Sequence, residues 1–358
     1  VTPRFGVYIH IPFCSKRCDY CAFATWTDRH HLHAAYIAAC RAEVRAAALP
    51  AATSVFVGGG TPSLIAASLL TALLGEVQLA DGAEVTVECN PDNVTQDLIA
   101  SYRDAGVTRI SLGVQSTVPH VLAALGREHD REHVRTAVDA IRAAGLTTFN
   151  LDVIYGAAGE SVSDWKQTLA DVLALEPPHV SAYGLTVEAG TPLAAQPDRH
   201  PDDDDQATKY LLAESMLSDA GLANYEISNW ARPGHDCRHN ELYWNQGDYR
   251  GIGCAAHSHR RGRRWWNHRT PERYIEAVEA TGEAEGGAEE LDDETRALER
   301  LQLALRTDAG VPGDALDDAD PDLAGLIERR DDRLVLTVAG RLLANEVAMR
   351  LQTGVRKP

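Results

Sequence analysis

Residues 8–21 read Tyr8-Ile9-His10-Ile11-Pro12-Phe13-Cys14-Ser15-Lys16-Arg17-Cys18-Asp19-Tyr20-Cys21. An apolar, β-type run ends at a proline, and three cysteines follow with C-x3-C-x2-C spacing. A cubic iron–sulfur cluster normally takes four thiolates. Three closely spaced thiolates hold three irons and leave the fourth open to a small molecule, which makes a docking or reaction site rather than a plain electron relay. The competing metal is zinc, which also favours cysteine clusters. A zinc ribbon needs a second, distant pair, and the candidates are Cys237 and Cys254. Spacing, and position at the end of a first strand, favour the cluster.

Working outward, short β-type runs alternate with helical stretches. Residues 5–11, 54–57, 84–88, 108–112, 147–154 and 180–185 are rich in β-branched or aromatic residues and end at Gly, Pro, Asn or polar clusters, so they read as strands. Residues 34–49, 64–77, 95–105, 132–144 and 163–175 are Ala-, Leu- and Arg-rich and read as helices, with Gly106 and Gly145 as C-caps. Repeated strand–helix units predict an α/β fold with a parallel sheet, curled into a partial barrel. In such barrels functional residues gather at the carboxyl ends of strands. There stand the cysteines, Gly58-Gly59-Gly60-Thr61-Pro62, Glu88-Cys89-Asn90-Pro91, Gly113-Val114-Gln115-Ser116 and Asp152. Further along, Asp202–Asp205 reads as a solvated run or helix N-cap for 206–220, and 282–287 as a linker. Residues 294–306, 323–329, 334–337 and 339–351 read as helix, helix, wing strand and helix.

The 358 residues suggest about two domains, and 44% hydrophobic content supplies a large core. Seven cysteines, an odd number without a secretory signal, predict a reducing, cytoplasmic setting. No apolar run approaches a membrane span. A net charge of −18 excludes a general nucleic-acid surface. The local cluster Arg260-Arg261-Gly262-Arg263-Arg264 before Trp265-Trp266 reads as a solvated loop or as a site for a carboxylate, an RNA or a partner.

Three glycines after strand two serve a tight turn or admit a ligand to backbone amides. Glu88, Gln115, Arg127 and Asp152 share one rim, where acids suit a cation and hydroxyls, and an arginine suits a carboxylate. A second constellation holds His235, Cys237, His239, Asn240, Tyr243 and Trp244, followed by Cys254, His257 and His259. A polar loop, a heme site and a zinc site on Cys237, His239, Cys254 and His257 all remain open from spacing alone.

Together Tyr8–Cys14, Cys18-x-Tyr20-Cys21, Gly58–Pro62, Ile110–Gln115 and Asn150-Leu151-Asp152-x-Ile154-Tyr155-Gly156 resemble radical S-adenosylmethionine (SAM) proteins of the coproporphyrinogen-oxidase-like group. His239-Asn240-x-x-Tyr243-Trp244 narrows the resemblance to the HemW, or heme chaperone, branch. The resemblance implies a partial (β/α)6 TIM-like core over 1–232 and a mainly helical, winged-helix-like C-terminal domain over 233–358. It implies a [4Fe-4S] cluster on Cys14, Cys18 and Cys21, whose open iron takes the amino and carboxylate groups of SAM. Tyr8, Tyr20, Gly59, Gly60, Thr61, Glu88, Gln115, Arg127, Asp152 and Thr186 are the implied SAM contacts. His239, Asn240, Tyr243 and Trp244 are the implied heme residues. The implied partners are heme, heme-accepting proteins, an electron donor such as flavodoxin or ferredoxin, and a second copy in a homodimer.

The alternative activity is that of an oxygen-independent coproporphyrinogen III oxidase or a radical SAM methylase. True oxidases of the group carry a further cysteine where this chain has Phe23, and a long arm where only thirteen residues precede Cys14. Ala22 and Cys89 depart from the Asp and Ala common in the chaperone branch. SAM cleavage remains chemically open to the architecture.

Overall fold

In the computed structural model, which describes residues 4–353, six parallel strands stand in sequence order. They are β1 (Phe5–Ile11), β2 (Ala52–Gly59), β3 (Leu79–Cys89), β4 (Arg109–Gln115), β5 (Thr148–Tyr155) and β6 (His179–Gly184). Helices His33–Ala47, Ala67–Leu74, Gln96–Asp104, Arg131–Ala143 and Val162–Leu173 connect them. The expected strand–helix alternation is therefore present, with boundaries shifted by a few residues. Gly106 and Gly145 lie just past their helices at φ +90° and +80°, the left-handed conformation of a helix stop.

The period-two alternation of a strand divides each one's residues between two faces. One face carries Val7, Ile9, Ile11, Val87, Ile110, Leu112, Leu151 and Val180, all buried in the main core against the helices. The other is polar. Register pairs Glu88 with Ser111, Ser111 with Asn150, and Asn150 with His179; the next row pairs Gly113 with Asp152 and Asp152 with Ser181. Functional side chains thus line up by strand register rather than by sequence distance.

The sheet continues beyond both ends. Beside β6 lie antiparallel β7 (Ala223–Glu226) and β8 (Asn229–Ala231). Beside β1 lie β9 (Asp248–Ile252), which is parallel to it, and then antiparallel β10 (His257–Arg260), β11 (Arg263–Asn267) and β12 (Glu285–Glu290). Residues 282–287 are thus no linker: Gly282 stops helix Pro271–Thr281, and Glu285 begins an edge strand. Neither is the arginine cluster a loop free of partners. Arg263 pairs with Glu285 and Glu290, and Arg264 with Glu289, across that edge, while Arg264 also reaches Glu299 on helix Asp293–Ala304. Acidic residues on one strand and basic residues on its neighbour supply the attraction that apolar alternation supplies elsewhere.

The mainly helical C-terminal expectation is also corrected. Beyond Leu323, the last residue of a single 3-10 turn, residues 324–329 form no helix; Ile327–Arg330 is a strand, β14, in a small antiparallel sheet with β13 (Val311–Pro312) and β15 (Arg333–Leu336). A separate apolar core including Leu305, Leu334 and Val347 holds it against flanking short helices. The aspartate run is an N-cap, as expected: the Asp202 carboxylate accepts from the Asp205 amide at 2.9 Å and starts helix Asp203–Asp219. The termini of the two units expected from sequence, residues 1–3 and 354–358, lie outside the described residues.

Candidate functional site

The cysteine loop leaves the carboxyl end of β1 and is folded back on itself. The Cys14 amide donates to the Trp26 carbonyl at 3.1 Å, and the Trp26 amide to the Pro12 carbonyl at 2.7 Å. Within it, the Cys21 amide closes a turn onto the Cys18 carbonyl at 3.1 Å. All three thiols are free and partly exposed. Burial raises the pKa of Cys14 and of Cys21, and the charge of neighbouring cysteines raises each further. Three thiolates that repel one another are stabilised by shared cations, so the donor set fits an iron–sulfur cube. Among the described residues no three His, Cys, Asp or Glu side chains converge on a point fit for one metal ion. A cube does not require that convergence, because each thiolate binds a different iron.

Strand β2 ends against this loop. The Gly60 amide donates to the Ile11 carbonyl at 2.7 Å and the Thr61 amide to the Phe13 carbonyl at 2.8 Å. A Cβ on Gly60 would lie 2.6 Å from the Phe13 carbonyl oxygen. Gly59 takes φ +110°, and its amide donates to the Glu88 carboxylate at 3.0 Å. The glycines therefore seat the loop and Glu88 at close quarters and have their amides already engaged. Thr61 also turns its hydroxyl to Cys14 Sγ at 3.8 Å.

Across the opening, Arg127 donates to Asn90 Oδ1 at 2.8 Å and to the Gly113 carbonyl at 3.0 Å, and lies 4.0 Å from Cys18 Sγ. Gln115 sits at φ +62° beside an irregularity in the β4–β5 register. That conformation is uncommon outside glycine and is often found at functional sites. A Cβ on Gly113 would meet Gln115 Nε2, Arg127 and Asn90, so these three side chains converge over it. Tyr20 packs against the small cluster holding Val121 and Leu125. Thr186 stands apart, exposed on the loop after β6 and bonded to the Gly184 carbonyl.

Inside the strands a cavity of about 220 Å³ is walled by Tyr8, Phe23, Glu88, Asp152, Tyr183 and Asn240, among others. Asn150 Nδ2 reaches Ser111 Oγ at 2.8 Å and Asp152 Oδ1 at 2.7 Å; its carbonyl oxygen lies 2.7 Å from His179 Nδ1. His179 Nε2 is 2.8 Å from the Tyr225 hydroxyl, which accepts from the Cys237 amide at 3.2 Å. Sequence reading missed Ser111, Asn150, His179, Ser181 and Tyr183. Stepping four residues back from Gln115 and two back from Asp152 along their strands would have found the first two.

Burial and the Asp152 charge push the Glu88 carboxyl up to about 8. A raised carboxyl keeps its proton in the folded state while the unfolded chain releases it near pH 4.5. Stability of the ligand-free protein should therefore fall as pH rises from about 4.5 to about 8. Glu88→Gln is expected to remove that part of the slope, as read by urea midpoints of the two proteins across this range. Parallel pH profiles would refute the assignment. A bound cation beside Glu88 reverses the preference and favours the carboxylate.

The predicted heme residues lie on the short helix Arg238–Trp244. The Glu84 carboxylate accepts from the His239 amide at its start. His239 is fully buried and stacked on Phe56, with Nδ1 2.9 Å from Ser54 Oγ and Nε2 2.8 Å from the Tyr243 hydroxyl. Burial lowers its pKa to about 3, which keeps the ring neutral. Both its nitrogens are thus engaged within the fold. Asn240 faces the inner cavity, while Tyr243 faces a larger one of about 550 Å³ on the other side of Tyr8 and Phe23. Trp244 is half-buried. The zinc alternative is not assembled: Cys237 lies 3.7 Å from Glu84, Cys254 lies 3.6 Å from the Tyr36 hydroxyl, and His257 packs on Trp266.

Residues 8–172 match the Radical SAM superfamily. Heme chaperone HemW of Mycobacterium tuberculosis is 41% identical, covering 97% of this chain and 94% of its own. The chain belongs to the HemW family. HemW of Bacillus subtilis is 31% identical with 96% and 97% covered, and HemW of Escherichia coli 38% identical with 71% and 70% covered. The solved coproporphyrinogen III oxidase (HemN) of Escherichia coli shares the fold, with a TM-score of 0.83 at 23% identity over 97% of this chain and 89% of that one. Radical SAM membership implies a [4Fe-4S] cluster and SAM, and HemW membership connects the chain to heme chaperones. Among the described residues no helix is long and apolar enough to cross a membrane.

Proposed function

We propose that this HemW-family chain binds heme and hands it to acceptor proteins. The near full-length relationship to the Mycobacterium tuberculosis heme chaperone carries the reading, because it spans both the cysteine loop and the H-N-x-x-Y-W segment. The reading takes residues 1–232 as a partial (β/α)6 core and 233–358 as the cargo-handling part. A [4Fe-4S] cluster on Cys14, Cys18 and Cys21 supplies one-electron chemistry and an open iron for SAM. On this reading Arg127 takes a carboxylate, and Glu88 and Asp152 take cationic or hydroxyl groups. Tyr8, Tyr20, Gly59, Gly60, Thr61 and Gln115 complete the inner contacts, with Thr186 at the outer rim. Asn240 and Tyr243 lie in walls of two neighbouring cavities, with His239 fixing the Tyr243 hydroxyl between them. A cytoplasmic setting, a flavodoxin- or ferredoxin-like electron donor and a homodimer accompany this reading.

The test is one anaerobically reconstituted sample divided between two assays. Heme titration followed by mixing with an apo-hemoprotein should show uptake and then transfer. Incubation with coproporphyrinogen and reductant should yield no decarboxylated porphyrin. Decarboxylation without heme uptake would replace the proposal with the oxidase reading.

A further inference from the structure

The larger cavity adds to an aromatic wall an aliphatic side chain and three imidazoles, where the inner one has a single imidazole, His179. Its walls include the aromatic residues Tyr8, Phe23, Tyr243 and Tyr249, and the aliphatic Leu303. Phe23 is 61% exposed, a large apolar side chain held at the rim instead of buried. At about 550 Å³ the cavity falls within the range of about 300–1,000 Å³ usual for sites that take small molecules and cofactors. Three imidazoles also line it: His10, His257 and His259.

Two of the three are already engaged. His10 has Nδ1 3.0 Å from the Tyr8 hydroxyl and Nε2 2.9 Å from the Ala24 carbonyl. His259 has Nδ1 2.9 Å from the Gly247 carbonyl, and its Nε2 accepts from the Gly262 amide at 3.2 Å. His257 is exposed, and among the described residues its ring makes no hydrogen bond; Trp266, its cross-strand partner, supports one side. A wall that is aromatic and aliphatic, with one imidazole free to coordinate, suits a flat metalloporphyrin. The carboxylates of such a ligand need a cation, and Arg264 stands in the same wall, shared between Glu289 and Glu299. Glu299 is itself a wall residue, so a ligand carboxylate can take its place on Arg264.

We infer that heme sits in this outer cavity, with its iron on His257 and a propionate on Arg264. The inference rests on the heme-carrier reading and gives that reading a location. It assigns His239 to positioning, as the buried support of the Tyr243 hydroxyl. It also makes Tyr8 and Phe23 the shared wall between cargo and cofactor cavities, since both residues line each one.

Ferric heme titrated into the full-length protein, followed by the Soret band, tests this. Loss of even an outer-shell partner commonly costs about 10–100-fold in metal affinity, so losing the ligand in His257→Ala is expected to cost at least about 100-fold. Adding imidazole should restore part of the wild-type spectrum. His257→Cys should bind heme with the distinct spectrum of a thiolate ligand. Wild-type affinity and spectrum in both variants would overturn the site and leave the carrier reading standing. Failure of the wild-type protein itself to bind heme would overturn both.

Discussion

Replacing Cys14, Cys18 and Cys21 together by alanine is expected to abolish the brown chromophore and leave no iron or acid-labile sulfide after anaerobic reconstitution. The sulfur-to-iron absorption at roughly 400 nm should vanish completely, since no thiolate remains near the loop to hold the cluster. The other four cysteines, Cys40, Cys89, Cys237 and Cys254, are all buried and cannot substitute. The variant should still fold. The loop is closed by backbone bonds between Cys14 and Trp26 and between Trp26 and Pro12, and these do not involve sulfur. Its partly exposed thiols also contribute little to the core. An unchanged spectrum would place the ligands elsewhere and remove the basis for the SAM contacts as well.

The six parallel strands were legible because each carries its own signal. One face of each must be apolar to pack on helices, and the run ends at a residue that cannot continue a strand. The cysteine loop was legible for a related reason, since metal-ligand spacing is local. Strands β9 to β12 carried no such signal. His257-Ser258-His259-Arg260 and Glu285-Gly286-Gly287-Ala288-Glu289-Glu290 show no apolar alternation, and the second is drawn to β11 by ion pairs with arginines about 22 to 27 positions away. The β14 segment reads as helix in sequence because a short mixed run has no decisive period. His239 shows the same limit at a single residue. Its spacing with Leu242 and Tyr243 marks one helix face, which is compatible with either a ligand or a buried support. Hydrogen bonding separates the two: His239 is held by Ser54 of distant strand β2 and by Tyr243 of its own helix, whereas among the described residues the His257 ring has no such partner.

Glu43→Ala is expected to destabilise the protein by about 3–5 kcal/mol, the usual cost of leaving a buried charge or donor set without its partner. Glu43 is fully buried on helix His33–Ala47. One carboxylate oxygen accepts from Arg250 and from Asn267, both at 2.9 Å; the other accepts from the Gly253 amide at 3.1 Å and the Tyr274 hydroxyl at 2.6 Å. These donors belong to β9, the turn after it, β11 and helix Pro271–Thr281, so one side chain bolts the sheet extension to the parallel core. Glu43→Gln keeps the shape yet sets an amide N–H₂ against either the Gly253 amide or the Arg250 guanidinium, and a smaller loss is expected from it. Urea unfolding of the three proteins measures the order, wild type above Gln above Ala. The consequence for function follows from position, because β10 and its His257 lie between β9 and β11. In Glu43→Ala, hydrogen exchange should rise first in β9 to β12, and heme affinity should fall while the cysteine loop, anchored on β1 and β2, still assembles its cluster. A loss below about 1 kcal/mol would mean that water satisfies the four donors, because a typical hydrogen bond contributes about that much net. In that case the extension would be held by its strand pairing with β1 and by its packing on helix His33–Ala47, where Tyr36 meets Tyr274 and the Cys254 amide.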